Sequence, residues 1–243
     1  MCSSDLQITE REDSWLSQLE LDAVKDTDKV VRDGEAIALG FDGSRGRKKG
    51  VTDATALIAC RVSDGHIFEP FPTSVWEQPH NWPKTKVWNP PKAEIVAAVH
   101  SAFKKWRVVG FYADPALWES YVAGWEAKYG PRLLAKSSGA HPIEWWMTGN
   151  RSTQVVKALK SFNDAVVDRE LTYDGGLALT AHLLHARTEV KNSGVVIAKP
   201  HPDSADKIDA AIAATLAWTA RLDAIAKGAL KKRKRPAAVE RVR

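Results

Sequence analysis

Hydrophobic and polar positions change their spacing along the chain in an order that is typical of an α/β fold. The folded part opens with a near-continuous apolar run at 36–41, which indicates a central strand covered on both faces. Strands at 52–61 and 67–75 follow, and a hairpin turn at Asp64-Gly65 separates them. These three strands should form an antiparallel meander.

Beyond the meander, apolar residues recur at helical spacing, first in a stripe over 92–106. A short apolar strand at 108–113 stops at Asp114-Pro115, because proline cannot continue a central ladder. The later elements are predicted as a helix at 116–129, a strand at 143–147, helices at 150–168 and 177–188, a strand at 195–198 and a final helix at 204–227. Since a strand–helix–strand crossover requires parallel pairing, we expect a mixed five-stranded sheet in the order 3-2-1-4-5, flanked by helices.

The ends of the chain differ from this central part. Residues 1–34 are charged and weakly periodic and are interpreted as a linker or docking segment, residues 35–228 as the domain, and residues 229–243 as a basic, disordered tail. The net charge is +5, and residues 231–235 form a run of five consecutive lysines and arginines. Such a run is explained either by a solvated tail or by salt-sensitive contact with DNA.

Composition excludes several classes of protein. Two cysteines cannot build a disulfide framework, and Cys60 ends an apolar run as a buried thiol. No segment approaches the ~20 apolar residues that a membrane span needs. The polar, acidic N-terminus lacks the features of a secretory signal, so we expect a cytoplasmic protein without a membrane partner.

Acidic residues stand where two parallel strands are predicted to end. Asp42 closes strand 1 and Asp114 closes strand 4, at the sheet edge where α/β proteins bind ligands. The final helix could bring Asp209 to the same point. Three carboxylates there would repel one another without a cation, and oxygen ligands favour Mg²⁺ or Mn²⁺. Two ions about 3.5–4 Å apart, bridged by Asp42, could hydrolyse a phosphodiester.

Each acid also has a structural explanation. Asp42 before Gly-Ser suits a turn, and Asp114 before proline could cap a strand. Asp209 could be a solvated acid or a favourable charge near a helix N-terminus. The prediction of a shared site rests on all three converging in one fold.

Four segments carry a resemblance to a known family. In order and over residues 30–228, the chain resembles the nuclease domain of tailed-phage large terminases at 41–44, 52–57, 111–115 and 207–211. The resemblance implies a ribonuclease-H-like fold and a metal-bound acidic triad, matched here by Asp42, Asp114 and Asp209. It also implies cleavage of concatemeric viral DNA during genome packaging. Asp53 would be a fourth acid near the metals.

The same resemblance implies partners. These are double-stranded DNA, a packaging ATPase domain, a small terminase subunit and the portal, in the cytoplasm of an infected bacterium. The chain itself lacks the G-x-x-x-x-G-K-[ST] phosphate loop of such an ATPase. We therefore interpret it as an excised nuclease domain or one product of a split terminase, with the first residues as the hinge from the missing ATPase.

Basic residues near the predicted site are candidates for DNA contact. The candidates are Arg45, Arg47, Lys48, Lys49, Arg151 beside Asn150, and Lys207. They would hold the DNA backbone, and the alternatives are a solvated hairpin tip for the loop residues and a surface lysine for Lys207. His182 and His185 lack a third ligand and are interpreted as surface residues, and Asp203 and Asp206 as capping groups.

Two other functions fit the pattern. One is another ribonuclease-H-like nuclease, of resolvase or recombinase type, which would share the acidic triad. The other is a non-catalytic module that binds DNA or docks on a portal and uses its acids structurally. Metal-dependent nicking of plasmid DNA, repeated with Asp42→Ala, separates the second from the nucleases.

Overall fold

The computed structural model describes residues 13–46, 52–83, 85–201 and 204–231. In chain order, the helices and strands within these residues are α1 (Gln18–Val24), β1 (Ala36–Asp42), β2 (Thr55–Arg61), β3 (His66–Phe68), β4 (Val75–Trp76), α2 (Lys92–Lys105), β5 (Arg107–Ala113), α3 (Glu119–Tyr129), α4 (Ser152–Val167), β6 (Thr172–Tyr173), α5 (Leu177–His185), β7 (Arg187–Lys191), β8 (Gly194–Ala198) and α6 (Asp209–Ala226). None of the helices in these ranges is long and apolar enough to cross a bilayer.

The main sheet is mixed, as the pattern predicts. Its strands run in the order β5-β1-β2-β3-β6, and β4 pairs with β2 beyond the end of β3. Strand β1 is antiparallel to β2 and parallel to β5, and β2 is antiparallel to β3. The predicted order of the first four strands is therefore confirmed, with the third strand divided into β3 and β4. Strand β6, which is parallel to β3, was not predicted.

The fifth predicted strand, at 143–147, is present only as one parallel bridge between Ala113 and Glu144. Pro115 lacks an N–H group and limits the ladder beyond β5. The N–H groups of Ile143 and Glu144 instead donate to the carboxylate of Glu126, each at 2.9 Å.

Two layers of helices cover the sheet, and the strand period of two divides the side chains of β1 between them. Ile37, Leu39 and Phe41 pack with residues of α2 and α3. Ala38 faces the other way, into a core built with α1, α4, α5 and α6. The sheet is therefore buried on both faces, which explains the continuous apolar run in the sequence.

Part of the segment interpreted as a linker, residues 15–24, is packed into this second core. Helix α1 begins with a capping box in which Ser17 and Glu20 bond to each other's main-chain N–H groups. The buried side chains of this segment are Trp15, Leu16, Leu21 and Val24. The structure therefore places 13–34 in the folded domain rather than in a hinge. The remaining terminal predictions, for 1–12 and 232–243, lie outside the described residues.

The last third of the chain corrects two element boundaries. The helix predicted at 177–188 ends at His185, and the chain continues into an antiparallel hairpin of β7 and β8. The helix predicted to start at Ser204 starts at Asp209. Ser204 does not cap it, because its Oγ accepts a hydrogen bond from the N–H of Asp206 at 3.1 Å and closes a local turn.

Candidate metal-binding site

The predicted pair of strand ends is found at one edge of the sheet. Phe41 of β1 lies beside Ala113 of β5, and the N–H of Asp114 donates to the carbonyl oxygen of Phe41 at 3.0 Å. Asp42 follows Phe41 as the last residue of β1. By strand alternation, Asp42 shares a face with Ala38, and Asp114 with Tyr112, so both acids are on the α6 side of the sheet.

Helix α6 runs antiparallel to β1 across that face. A Cβ added to Gly40 would lie 1.9 Å from the carbonyl oxygen of Ala213. A Cβ added to Gly110, which pairs with Ala38, would lie 3.0 Å from the carbonyl oxygen of Ala220. Moving along β1 towards its C-terminal end therefore means moving along α6 towards its N-terminal end.

This antiparallel packing brings Asp209 level with Asp42. Two residues of strand separate Gly40 from Asp42, an advance of roughly 6.6 Å. Four residues of helix separate Ala213 from Asp209, about 6 Å in the same direction. The first residue of α6 therefore reaches the edge of the sheet where β1 ends.

The electrostatics of Asp42 reflect this convergence. Burial raises its pKa well above the ordinary value, and the negative charges of Asp209, Asp114 and Asp53 raise it further. The N–H of Gly43 acts in the opposite direction but is outweighed. Like charges raise a carboxyl pKa in this way only at short range, so the acids occupy one site.

The two other acids are themselves buried, with 7% of Asp114 and 8% of Asp209 exposed. Burial raises the pKa of each; for Asp114 the N–H of Ala116, which donates to Oδ1 at 3.1 Å, acts against it, and for Asp209 the negative charge of Asp53 raises the pKa further. Among the described residues, Oδ2 of Asp209 is buried and accepts no hydrogen bond. A buried carboxylate oxygen without a partner is costly, and a cation is the partner that also relieves the repulsion.

Asp53 lies on the loop that enters β2, beside the same edge. Its carbonyl oxygen accepts a hydrogen bond from Ser44 Oγ at 2.7 Å, which ties it to the end of β1. Its carboxylate forms an ion pair with Lys199, the residue after β8. Asp53 is thus near the three acids but already has a positive partner.

Lys207 differs from the surface lysine that the sequence suggested. Only 5% of the residue is exposed, and its ammonium group donates to the carbonyl oxygen of Thr52. Burial lowers its pKa. It therefore joins the start of α6 to the loop that carries Asp53.

A groove of about 610 Å³ lies between the loop that carries Asp53, the residue before α6 and the β7–β8 hairpin. Asp53, Lys199 and Ile208 line it on the side of the site, and Arg187 lines it on the side of the hairpin. Asp53 is the acid of this region that lines the groove, and Ile208 brings the groove next to Asp209 in the chain.

Besides Lys207, two of the candidate DNA-contacting residues can be placed. Arg45 is exposed in the loop that follows Asp42. Arg151 is partly buried, with its guanidinium 5.3 Å from the ring centre of Trp145, and its neighbour Asn150 is exposed. The remaining basic candidates in the loop, Arg47, Lys48 and Lys49, lie outside the described residues. Asp203 lies outside them too.

The sequence interpretation of His182 as a surface residue is wrong. Only 1% of it is exposed, and its Nδ1 accepts a hydrogen bond from the N–H of Ala210 at 2.8 Å. Its Nε2 lies 3.0 Å from Oε1 of Glu77. Helical spacing could have identified it, because Leu179 and Leu183 lie on the same side of α5 and are buried. His185 is partly exposed, as expected.

A second group of ionisable side chains lies away from this site. Glu126, His141 and Glu144 each offer a ligand atom within 4.8 Å of the others. Nδ1 of His141 is 3.3 Å from Glu126 and 3.6 Å from Glu144, so polar contacts among the three side chains account for the group. His141 is more than half exposed.

Two curated relatives are similar in sequence over most of the chain. The Gene 13 proteins of Mycobacterium phages L5 and D29 are each 36% identical over 229 residues, which is 89% of this chain. The chain spans only 36% of the length of either relative. No protein-family model matches the sequence.

Solved structures resemble the fold. The large terminase nuclease of thermophilic phage G20c is 15% identical, with a TM-score of 0.52 over 85% of this chain and 98% of that one. The structure of the same nuclease with bound magnesium is 12% identical in sequence, with a TM-score of 0.51 over 86% of this chain and 98% of that one. The HK97 bacteriophage large terminase is 12% identical in sequence, with a TM-score of 0.56 over 84% of this chain and 43% of that one. The chain therefore has the ribonuclease-H-like fold of large terminase nuclease domains.

Proposed function

We propose that this chain is a divalent-metal-dependent endodeoxyribonuclease of the terminase type, which cuts concatemeric viral DNA during genome packaging. The observation that carries the proposal is the convergence of Asp42, Asp114 and Asp209 at one sheet edge, together with the buried, unpartnered Oδ2 of Asp209. The shared fold with terminase nucleases supports the choice among ribonuclease-H-like enzymes.

The donor set fits hard divalent cations. All three acids offer carboxylate oxygens, which favour Mg²⁺ or Mn²⁺. Asp42, at the centre, would bridge the ions, and Asp114 and Asp209 would each complete one coordination shell. Asp53, neutralised by Lys199, is proposed as an outer acid of the site.

Two bound ions would supply an activated water and stabilise the leaving 3′ oxygen of the phosphodiester. The protein's part is to hold the ligands in place. The Ala116 N–H restrains one oxygen of Asp114, and burial keeps competing water away from Asp209. The first turn of α6 also directs its positive dipole end towards the site, where it favours a bound anion such as phosphate.

The groove beside the site would receive the DNA backbone. The basic residues proposed to contact phosphates are Arg45, Arg151, Arg47, Lys48 and Lys49. Lys207 is already engaged with Thr52 and is better suited to holding the site together. Contacts of this kind read phosphate rather than base edges, so cleavage should have little sequence preference.

The biological setting is proposed from the family. The remaining length of the Gene 13 relatives is large enough for a further domain, and a packaging ATPase is the domain we expect there. The small terminase subunit and the portal would be further partners in the host cytoplasm.

The decisive experiment combines cleavage with direct metal binding. Supercoiled plasmid is incubated with the chain in Mg²⁺, Mn²⁺ or chelator, and Mn²⁺ binding is measured by calorimetry. We expect metal-dependent nicking and linearisation, and a loss of at least 100-fold in rate for Asp42→Asn, as is typical when an essential charged group is removed. Asp28→Asn, at an exposed turn, is the matched control and should behave as wild type.

Each alternative predicts a different result. A non-catalytic module would bind DNA without cutting it under any metal condition and would bind no Mn²⁺ at the acids. A resolvase would cut a four-way junction at least tenfold faster than a linear duplex. Cleavage that survives Asp42→Asn would contradict the proposed site itself.

A further inference from the structure

The N-terminus of α6 carries a ligand of the proposed metal site but has no side-chain cap of its own. Its N-cap residue is Ile208, which offers no hydrogen-bond acceptor beyond the main chain. Helices normally satisfy the N–H of the second or third residue with an N-cap side chain, and the lack of one is destabilising. Asp209 is the first residue of α6, so Ala210 carries the N–H that such a cap would satisfy.

That N–H is satisfied from another helix. Ala210 donates to Nδ1 of His182 in α5 at 2.8 Å, and the bond is fully buried. An imidazole nitrogen that accepts a hydrogen bond carries no proton, so the proton of the neutral ring is on Nε2. Nε2 donates to Oε1 of Glu77 at 3.0 Å. The ring is thus fixed at both ends.

Glu77 connects this cap to the sheet edge that carries the other acids. It follows β4 directly, and Val75 of β4 pairs with Ala56 of β2. Ala56 in turn pairs with Asp42. A short path of main-chain pairing and two side-chain bonds therefore runs from Asp42 to the residue after Asp209.

We infer that His182 is a positioning residue for the metal site, which holds the first turn of α6, and with it the carboxylate of Asp209, in register with Asp42. The inference rests on the proposed function, because it assigns His182 a role through a metal ligand. Residues that orient metal ligands without touching the ion typically change metal affinity by 10–100-fold when they are altered.

Two conservative substitutions separate the two bonds of the ring. In His182→Asn, Oδ1 takes roughly the place of Nδ1 and can still accept from Ala210, while the bond to Glu77 is lost. In His182→Gln, the longer amide can reach Glu77 instead, and the N–H of Ala210 loses its acceptor. His182→Leu removes both bonds. His185→Asn, on the same helix, is the control.

The first measurement is the affinity for Mn²⁺ by calorimetry on the full chain, which does not depend on catalysis. We expect His182→Gln and His182→Leu to bind Mn²⁺ at least tenfold more weakly than wild type. His182→Asn should stay within about threefold of wild type, and His185→Asn should be unchanged. In cleavage assays the half-saturating Mn²⁺ concentration should shift by the same factors. A loss of folded protein alone would lower the maximal rate and leave that concentration unchanged.

The second measurement is amide hydrogen exchange at Ala210 in metal-free protein. Protection should be lost in His182→Gln and kept in His182→Asn. Equal Mn²⁺ affinity in wild type and all three His182 variants would overturn the inference, and so would an Asn variant as weak as the Gln variant. If wild type itself binds no Mn²⁺, the proposed function fails, while the exchange data still report whether His182 caps α6.

Discussion

Gly40 of β1 lies directly against the main chain of Ala213 in α6. A methyl group at Gly40 would come within 1.9 Å of the Ala213 carbonyl oxygen and 2.5 Å of the Ala217 nitrogen. Both are backbone atoms, so no side-chain rotation can relieve the overlap. The close approach sets the height of α6 on the sheet and therefore the position of Asp209 relative to Asp42.

Gly40→Ala should displace α6 and weaken both the fold and the site. Overpacking a core costs about 1–3 kcal/mol, and a clash with backbone belongs at or above the upper end of that range. We expect the free energy of unfolding, measured with denaturant, to fall by about 3 kcal/mol or more, and Mn²⁺ affinity to fall with it.

Gly124→Ala is the matched control for that substitution. Gly124 lies in the exposed face of α3, and a Cβ there meets no atom within 4 Å. Replacing a helical glycine with alanine should stabilise the protein by about 0.5–1 kcal/mol. If Gly40→Ala is as harmless as Gly124→Ala, α6 is not held by this contact.

The sequence predicts four strands of the main sheet and the positions of two of the acids at strand ends, because each of these strands carries its own signal. Asp42 and Asp114 follow apolar runs and precede Gly-Ser and proline, so local pattern alone places them at strand ends. The order of the first four strands then follows from crossover rules. The placement of Asp209 depends on a close helix–strand contact between distant residues, which no local pattern reports.

The missed features have different physical causes. Two of the missed elements could have been predicted from the sequence. The capping box at Ser17-x-x-Glu20 indicates α1, and the turn residues at 192–194 indicate the β7–β8 hairpin. The role of His182 could not be predicted from the sequence, because its partners Glu77 and Ala210 are far from it in the chain. Ser204 resembled an N-cap, but its hydroxyl closes a turn instead.

Asp64 should make the stability of the protein depend on pH in the acid range. Burial alone would raise its pKa, but hydrogen bonds from Arg61 and Lys29 outweigh burial and hold the pKa far below its ordinary value. A carboxyl whose pKa is depressed by folding stabilises the protein above its unfolded pKa of about 3.9, and this contribution is lost as the pH falls through the folded value.

The variant Asp64→Asn tests this dependence. At pH 7 it should be less stable than wild type by about 1 kcal/mol, since the network is partly exposed to solvent. The difference between the two proteins should shrink as the pH is lowered below about 4. Asp28→Asn, in an exposed turn nearby, should follow wild type at every pH. A constant difference from pH 7 to pH 2 would argue against an ionic origin.

Cys60 should be inert towards thiol reagents while the protein is folded. Burial raises the pKa of its thiol to about 12. Thiolate is the reactive form, so at pH 8 about one thiol in ten thousand is available, and it is also shielded from the reagent. In a Cys2→Ser background, labelling with a chromogenic disulfide should proceed at the rate of unfolding and accelerate in guanidinium. Complete labelling of the folded protein within seconds would show that the thiol is accessible.

Arg45 should contribute to DNA affinity in a salt-dependent, sequence-independent manner. It is exposed in the loop that follows Asp42, three residues from that acid in the chain. Each phosphate contact adds about 0.9 to the slope of log affinity against log salt concentration. Arg45→Ala, in an Asp42→Asn background without divalent ions, should therefore lower that slope by about 1 on duplexes of unrelated sequence. Arg107→Ala removes an exposed arginine at the start of β5, far from Asp114, and should leave the slope unchanged. Equal losses for both variants would mean that DNA responds to net charge rather than to a surface beside the acids.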